Sequence, residues 1–418
     1  MAAPLRVPFF RPDLQDAEID EVVDTLRSGW LTTGPKTRRF EAAFAEAVGA
    51  RHALAVNSCT AALHLAVVAL GLRAGQGVLV PTLTFAATAE VVRYLGAVPI
   101  FVDCDPVTLD LDLADAARKL DDLRAGLLPV PADTEVVGLI AVHVGGLVRG
   151  LDALHAFVAA HDLWLVEDAA HAFPAAWRAS TDDDWQRCGG GTAAISCFSF
   201  YANKTITTGE GGMATSDDSA LIEEMRCRSL HGLSRDAWGR YEGAGAPWDY
   251  RVLALGYKYN MTDVAAAIGL HQLARANALR NARAAIAARY DDAFAALDDL
   301  VERPPLPGRA PWQEGPWANC RHAWHLYPIR LRLDRLSIDR DAVIEQLGAR
   351  GIGTSVHWRP LHLHPYHQHI FDWTPEHLPV ASYAWRRLIS LPLFPSQSDE
   401  EVAAVIEAVV DVVRGAAR

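Results

Sequence analysis

Four short stretches of this chain hold residue types from which a reaction site is built. The run Phe198-Ser199-Phe200-Tyr201-Ala202-Asn203-Lys204 sets a lysine between an apolar segment and the turn Gly209-Glu210-Gly211-Gly212. A lysine in a partly desolvated pocket loses proton affinity and becomes a nucleophile towards carbonyl carbon. Most lysines are plain solvated charges. This one follows one of the most apolar runs of a chain poor in lysine and rich in arginine. The second stretch, Glu167-Asp168-Ala169-Ala170-His171, ends another apolar run. A carboxylate there can pair with a cationic nitrogen, and a histidine three residues on falls on the same side of a turn. The plainer alternative is an aspartate capping the next helix beside a satisfied core histidine. The third stretch, Asn57-Ser58-Cys59-Thr60-Ala61, opens an apolar helix. Free amides and hydroxyls at a helix N-terminus make a phosphate site, although the same residues also serve as ordinary caps. The fourth, Pro81–Thr88, carries Phe85 just past a strand end. That ring either covers a flat ligand or fills the core.

Phosphate site, flat-ring platform, acid for a ring nitrogen and lysine for an aldehyde are together what pyridoxal 5′-phosphate (PLP) requires. The lysine bonds to its aldehyde, and the aspartate keeps its pyridine nitrogen protonated so that the ring acts as an electron sink.

Placing such residues together takes a sheet. Val78–Val80, Val98–Val102, Val136–Val142, Leu163–Val166 and Ile195–Phe200 read as buried strands, alternating with helical patterns such as Ala61–Leu70 and Leu151–His161. This alternation predicts a mainly parallel sheet covered on both faces, with ligands at the carboxyl ends of its strands. From Val264 to Leu297 an Ala-rich pattern predicts one or two long helices, followed by a Pro/Trp/Gly-rich connector from Arg303. A smaller α+β unit comes next, with a strand over Trp324–Leu333 and a helix from near Asp339. In the last helix Ser398 and Glu401 form a capping box, and Val402, Val405, Ile406, Val409 and Val413 share one face.

Composition narrows the function classes. The 418 residues are 50% hydrophobic with a formal net charge of −12, which excludes global disorder and argues against a nucleic-acid partner. The length fits two or three structural units. Six cysteines, at 59, 104, 188, 197, 227 and 320, form no C-x-x-C pair, so a reducing cytoplasm is expected. No signal or stop-transfer pattern is found, and the longest apolar stretch, Val136–Val148, is broken by His143, Gly145 and Gly146; no membrane partner is expected.

In this order the features resemble the DegT/DnrJ/EryC1/StrS family of PLP-dependent sugar aminotransferases. The likeness runs nearly end to end, through Gly29–Pro35, Arg228–Gly232, Gly256-Tyr-Lys-Tyr-Asn-Met-Thr-Asp263 and Leu391–Pro395. It implies an α/β aspartate-aminotransferase-like fold (PLP fold type I). An N-terminal arm (1–20) precedes a large domain (21–262) with a mainly parallel sheet, a connecting helical segment (263–298) and a small C-terminal α+β domain (299–418). It also implies a homodimer with shared active sites. By motif match Lys204 is the lysine that bonds the cofactor and moves the substrate proton, and Asp168 is the partner of the pyridine nitrogen. His171 lies near the ring hydroxyl, and Phe85 stacks on the ring. Thr60, the Ala61 amide and Ser199 hold the phosphate, joined from the partner subunit by Lys258 or Asn260. Trp30, His325 and His357 match substrate-facing positions. The stretch 182–191 departs from the family's shorter turn and has no assigned role. His357, His362, His364, His367 and His369 are close in sequence, but Pro360 and Pro365 break the array and no acid or Cys interleaves, so no metal is expected.

The resemblance implies transfer of an amino group, with L-glutamate as donor, to a keto-sugar nucleotide. The runs His231–Trp238 and Gly256–Met261 favour a 4-keto sugar. A 3-keto-sugar, cyclitol or aminobenzoate-type enzyme is the alternative. A sugar dehydratase of this family carries His in place of the lysine, and a ligand-binding regulator has no need of the intact set.

Overall fold

The computed structural model describes residues 5–234, 250–308, 312 and 314–418. Two helices, α1 (Asp16–Ser28) and α2 (Pro35–Val48), lead into β1 (His52–Val56) and α3 (Cys59–Ala69). Then come β2 (Gly77–Pro81), β3 (Val98–Val102), β4 (Val136–Val142) and β5 (Trp164–Asp168). A short ribbon, β6 (Ala176–Trp177) and β7 (Gln186–Arg187), precedes β8 (Ile195–Ser199) and β9 (Gly212–Ser216). The main sheet has seven strands in the order β1-β9-β8-β5-β4-β2-β3. Only β9 runs against its neighbours. Every residue of β2 and β3 is buried, as expected for Val-rich strands covered on both faces.

The five strands expected from the sequence are present, and β1 and β9 are strands that carry no strand signal of their own. Their sequences, His-Ala-Leu-Ala-Val and Gly-Met-Ala-Thr-Ser, are rich in small residues and weak in β-branched ones. Pairing with each other, in register from His52↔Ser216 to Val56↔Gly212, makes them strands.

The carboxyl ends of β5 and β8 carry Asp168 and Ser199, as expected of a parallel sheet. A large core around Phe40, Phe44, Phe198 and Phe200 surrounds this sheet. A second core gathers Tyr290, Phe294, Tyr327 and Phe394. It lies on a three-stranded sheet of β10 (Val301–Glu302), β12 (Tyr327–Leu331) and β13 (Leu388–Leu391). β11 (Cys320–Arg321) instead joins β6.

The Ala-rich stretch forms two helices, Asp263–Ala274 and Ala276–Phe294. The second joins the cores: Ala276 and Leu279 pack in the first, and Ile286 to Phe294 pack in the other. The sequence boundaries mix at two places. Val7, in the N-terminal arm, packs in the second core and bridges Ile352. Leu361, Phe371, Trp373 and Leu378, late in the chain, pack on the large core. The last helix, Asp399–Gly415, starts with the expected Ser398/Glu401 capping box and buries Val402, Val405, Val409 and Val413. Among the described residues no helix is long and apolar enough to cross a membrane.

Candidate active site

A cavity of about 410 Å³ opens at the carboxyl ends of the sheet strands. Ser58, Cys59, Thr60, Phe85, Asp168 and His171 line it, with Ser199, Lys204, His357 and Trp358 opposite and around them. Residues from widely separated parts of the chain thus share one wall, and the topology is what brings them there.

Lys204 follows β8 in a tight turn, its amide donating to the Tyr201 carbonyl at 2.9 Å. Burial pushes its ammonium down to about 8; nearby Cys59 and Asp168 oppose that shift, and Arg283 adds to it. Its Nζ lies 3.5 Å from His325 Nε2. Burial holds both His171 and His325 far below the usual imidazole range, and Lys204 adds to the effect on each. Both rings are therefore neutral near pH 7. Gly145 N–H donates to His171 Nδ1 at 3.3 Å, which leaves the proton on Nε2. The Trp358 indole stacks on His171, with centroids 5.1 Å apart and planes 16° from parallel. His357 Nδ1 lies 2.8 Å from Ser390 Oγ.

Asp168 is buried, and burial raises its proton affinity. Thr88 Oγ1 donates to its Oδ2 at 2.8 Å, and Ala170 N–H to its Oδ1 at 3.3 Å. Thr84 Oγ1, 2.8 Å from Thr88 Oγ1, extends this chain of hydroxyls. Phe85 is 61% exposed at the cavity, a position that costs apolar surface unless a flat group covers it.

The phosphate region differs in one detail from the expectation. Ser58 is the N-cap of α3, and its Oγ accepts from the Ala61 amide at 3.1 Å. The Ala61 amide expected to face a phosphate is therefore occupied by the cap. The first-turn amides of Cys59 and Thr60, the Thr60 hydroxyl and Ser199 remain at the cavity.

The other sequence candidates fall elsewhere. Trp30, Lys258 and Asn260 do not line this cavity. They gather around Thr33 instead. The Trp30 indole N–H donates to the Thr33 carbonyl at 3.1 Å, Asn260 Nδ2 donates to Thr33 Oγ1 at 2.7 Å, and Lys258 Nζ donates to Asn260 Oδ1. Of the close histidines, His357 is at the cavity, while His362 bonds Thr82 and Ser382. The 182–191 stretch carries β7, and Trp185 in it lies between the guanidinium groups of Arg178 and Arg321. Residues 235–238, part of the 4-keto argument, lie outside the described residues. Trp358 and the Thr84–Thr88 pair have no chemistry readable from type alone; their roles come from partners brought by other elements.

A family model described as the DegT/DnrJ/EryC1/StrS aminotransferase family matches residues 12–410. The chain belongs to this family. It is 42% identical over 411 residues to the spore coat polysaccharide biosynthesis protein SpsC of Bacillus subtilis, covering 98% of each chain. The PLP form of Spr1654 from Streptococcus pneumoniae superposes with a TM-score of 0.83 at 30% identity, covering 98% of this chain and 99% of that one. Sugar aminotransferase CalS13 from Micromonospora echinospora superposes at 0.78 with 29% identity, covering 96% and 99%. The fold is that of the PLP-dependent aminotransferases, and PLP is the cofactor.

The residues present fit that group. Asn203 Oδ1, buried without a partner among the described residues, belongs to a cavity-lining residue; the exposed Phe85 ring and the first turn of α3 complete the fit. When bound, PLP supplies an electron sink that loosens a carbon-bound proton. The protein's part would be to hold an ionised Asp168 at the ring nitrogen and a flat apolar wall at Phe85. Lys204 Nζ, brought down to about 8 by burial, would be the group that takes and returns the proton.

Proposed function

We propose that this aminotransferase moves an amino group from L-glutamate to C4 of a 4-keto sugar carried on a nucleotide, in the cytoplasm and as a homodimer. One observation carries the reading: a buried lysine of lowered proton affinity shares a cavity with Asp168, His171 and Phe85 in the order a PLP site needs. A sugar as acceptor is supported by the relative named for polysaccharide biosynthesis and by the sugar aminotransferase CalS13. The Trp358 indole beside the neutral His171 and His357 suits a sugar, whose C–H faces stack on aromatic rings while its hydroxyls bond imidazole nitrogens. The Gly256–Met261 run supports the 4-keto preference. The test is a panel of 3-keto and 4-keto sugar nucleotides with L-glutamate, products analysed by mass spectrometry and NMR. The reading expects an axial or equatorial amine at C4 and 2-oxoglutarate in equal amount. Amination at C3 only, or of free cyclitols only, overturns it.

A further inference from the structure

Behind Asp168 lies a buried charge cluster that the site as described does not use. β4 and β5 pair in parallel, with Ala141 opposite Glu167 and Val142 opposite Asp168. Glu167 and Asp168 therefore point to opposite faces of the sheet, one towards a second cluster and one towards the cavity. His143 follows β4 directly, and its Nε2 lies 3.0 Å from Glu167 Oε1. Glu167 is 0% exposed, and its second oxygen accepts from the hydroxyls of Thr192 and Ser196, at 2.5 Å each. On the other side of His143, Asp110 accepts from the Val144 amide at 2.9 Å. Asp110, His143 and Arg149 line a separate cavity of about 250 Å³.

Among the described residues, Lys204 lies on the cavity side of Asp168, the Cys59 and Cys197 thiols lie near Asp168, Asp105 and Arg149 lie near Asp110, and the Cys188 thiol is close to Glu167. Three carboxyl groups, Asp110, Glu167 and Asp168, thus surround one imidazole, and burial pushes Asp110 up to about 7. Like charges on adjacent buried residues raise each other's proton affinity unless a cation stands between them. Burial pulls His143 towards neutrality, but the hydrogen bond and charge of Glu167, with the charges of Asp110 and Asp168 adding, more than offset it and hold the ring above the usual imidazole range. Burial likewise raises Glu167, and His143 together with the Ser196 and Thr192 hydroxyls outweighs it, holding that carboxyl below its usual range.

We propose that His143 is a positioning residue for the cofactor's ring nitrogen: an imidazolium locked to Glu167, whose charge cancels that of Glu167 and keeps Asp168 ionised at the cavity. The inference rests on the reading of Asp168 as the partner of that nitrogen. It separates His143 from the groups that touch substrate, because His143 acts from the opposite face of the sheet.

A double-mutant cycle on the holoenzyme, loaded with PLP labelled with 15N at the ring nitrogen, tests it. The 15N shift reads the protonation of that nitrogen without turnover. His143→Gln leaves Glu167 uncompensated. Asp168 then binds its proton more readily, so the ring nitrogen loses proton occupancy at pH 7.5 and the acid limb of kcat moves up by about one pH unit. At neutral pH kcat falls about tenfold, with little change in KM for the amino donor. Glu167→Gln removes the acid together with the charge on His143, so it moves the nitrogen less. The double variant returns the 15N shift towards wild type. A merely structural histidine gives the opposite order, with the double variant worst. A wild-type 15N shift in His143→Gln, or no recovery in the double variant, overturns the proposal. Should His143→Gln fail to fold, wild-type holoenzyme labelled at histidine nitrogen decides: an imidazolium at residue 143 at pH 7.5 supports the proposal and a neutral ring overturns it. Asp168→Asn is run in parallel. If it leaves the ring nitrogen protonated, the reading of Asp168 fails; if it strips the proton while His143→Gln does not, only the role of His143 fails.

Discussion

Lys204 sits where burial strips charge from an amine, while Asp168 and Cys59 limit the loss. The balance near 8 leaves a useful fraction of free amine at neutral pH, which a solvated lysine near 10.5 does not have. Two outcomes follow at this residue. Lys204→Ala should lower turnover by about a thousandfold or more, since no other amine among the described residues lines the cavity, while leaving the fold intact. Borohydride treatment of the loaded variant, followed by mass spectrometry, should find no cofactor bonded to the chain; retention of a bonded cofactor at another residue would displace Lys204 from its role. Covalent capture of PLP by the apoprotein should speed up as pH rises through about 8, because deprotonation of Lys204 produces the nucleophile. Stopped-flow absorbance from pH 6.5 to 9.5 reads that midpoint, and a flat profile would show that the amine is already neutral throughout. At this scale Lys204, Asp168, His171, Phe85 and Thr60 stand out by residue type and place in the chain, Ser199 through the family resemblance, and the structure gathers all six around one cavity. Trp358 and Thr88 do not stand out, since an indole or a hydroxyl gains its function only from the His171 ring or the Asp168 carboxylate that the fold places beside it.

The elements position these residues through close backbone approaches. Gly212 opens β9 directly beneath the first turn of α3. A Cβ there would lie 2.4 Å from the Ser58 carbonyl carbon and 2.6 Å from the Cys59 amide nitrogen. Both are backbone atoms, so the helix N-terminus itself would have to move. Displacement of that kind costs about 1–3 kcal/mol in a packed interior. Gly212→Ala should therefore weaken PLP binding by about tenfold or more, as 1.4 kcal/mol is a factor of ten. Equilibrium dialysis measures it, and the lysine chemistry should survive at saturating cofactor. An unchanged dissociation constant would mean that the first turn of α3 does not hold the phosphate. The same contact explains why β9 escaped a sequence reading: Gly212 is there for proximity to α3, and it reads as turn. β2 to β5 and β8, whose apolar runs are set by burial on both faces, were legible for the converse reason.

On the scale of the molecule, the residues matched to the family but absent from the Lys204 cavity need a place. Trp30, Lys258 and Asn260 cluster around Thr33. Tyr257 and Tyr259 stack beside them, with centroids 5.1 Å apart and planes 8° from parallel. Val252, Leu253 and Leu255, just before this run, are 69%, 64% and 78% exposed. Apolar exposure of that density next to aromatic residues marks an interface. We propose a two-fold dimer built on this face, in which each subunit's cavity would receive the other's Lys258–Asn260 segment, a cation and an amide suited to a phosphate dianion. The expectation is an obligate homodimer in which Lys258→Ala and Asn260→Ala weaken cofactor retention, at least one of them strongly. Complementation tests the sharing directly. Lys204→Ala subunits are mixed, through reversible dissociation, with subunits inactivated at the crossing residue. In each mixed dimer one site collects both lesions and the other is intact, so random mixing restores about a quarter of wild-type sites. A control chain carrying both substitutions stays inactive in every pairing with itself. Sedimentation at micromolar concentration that finds a monomer, or a mixture no more active than that control, would show that one chain builds the whole site, and Lys258 would then be a charge serving only its own surface.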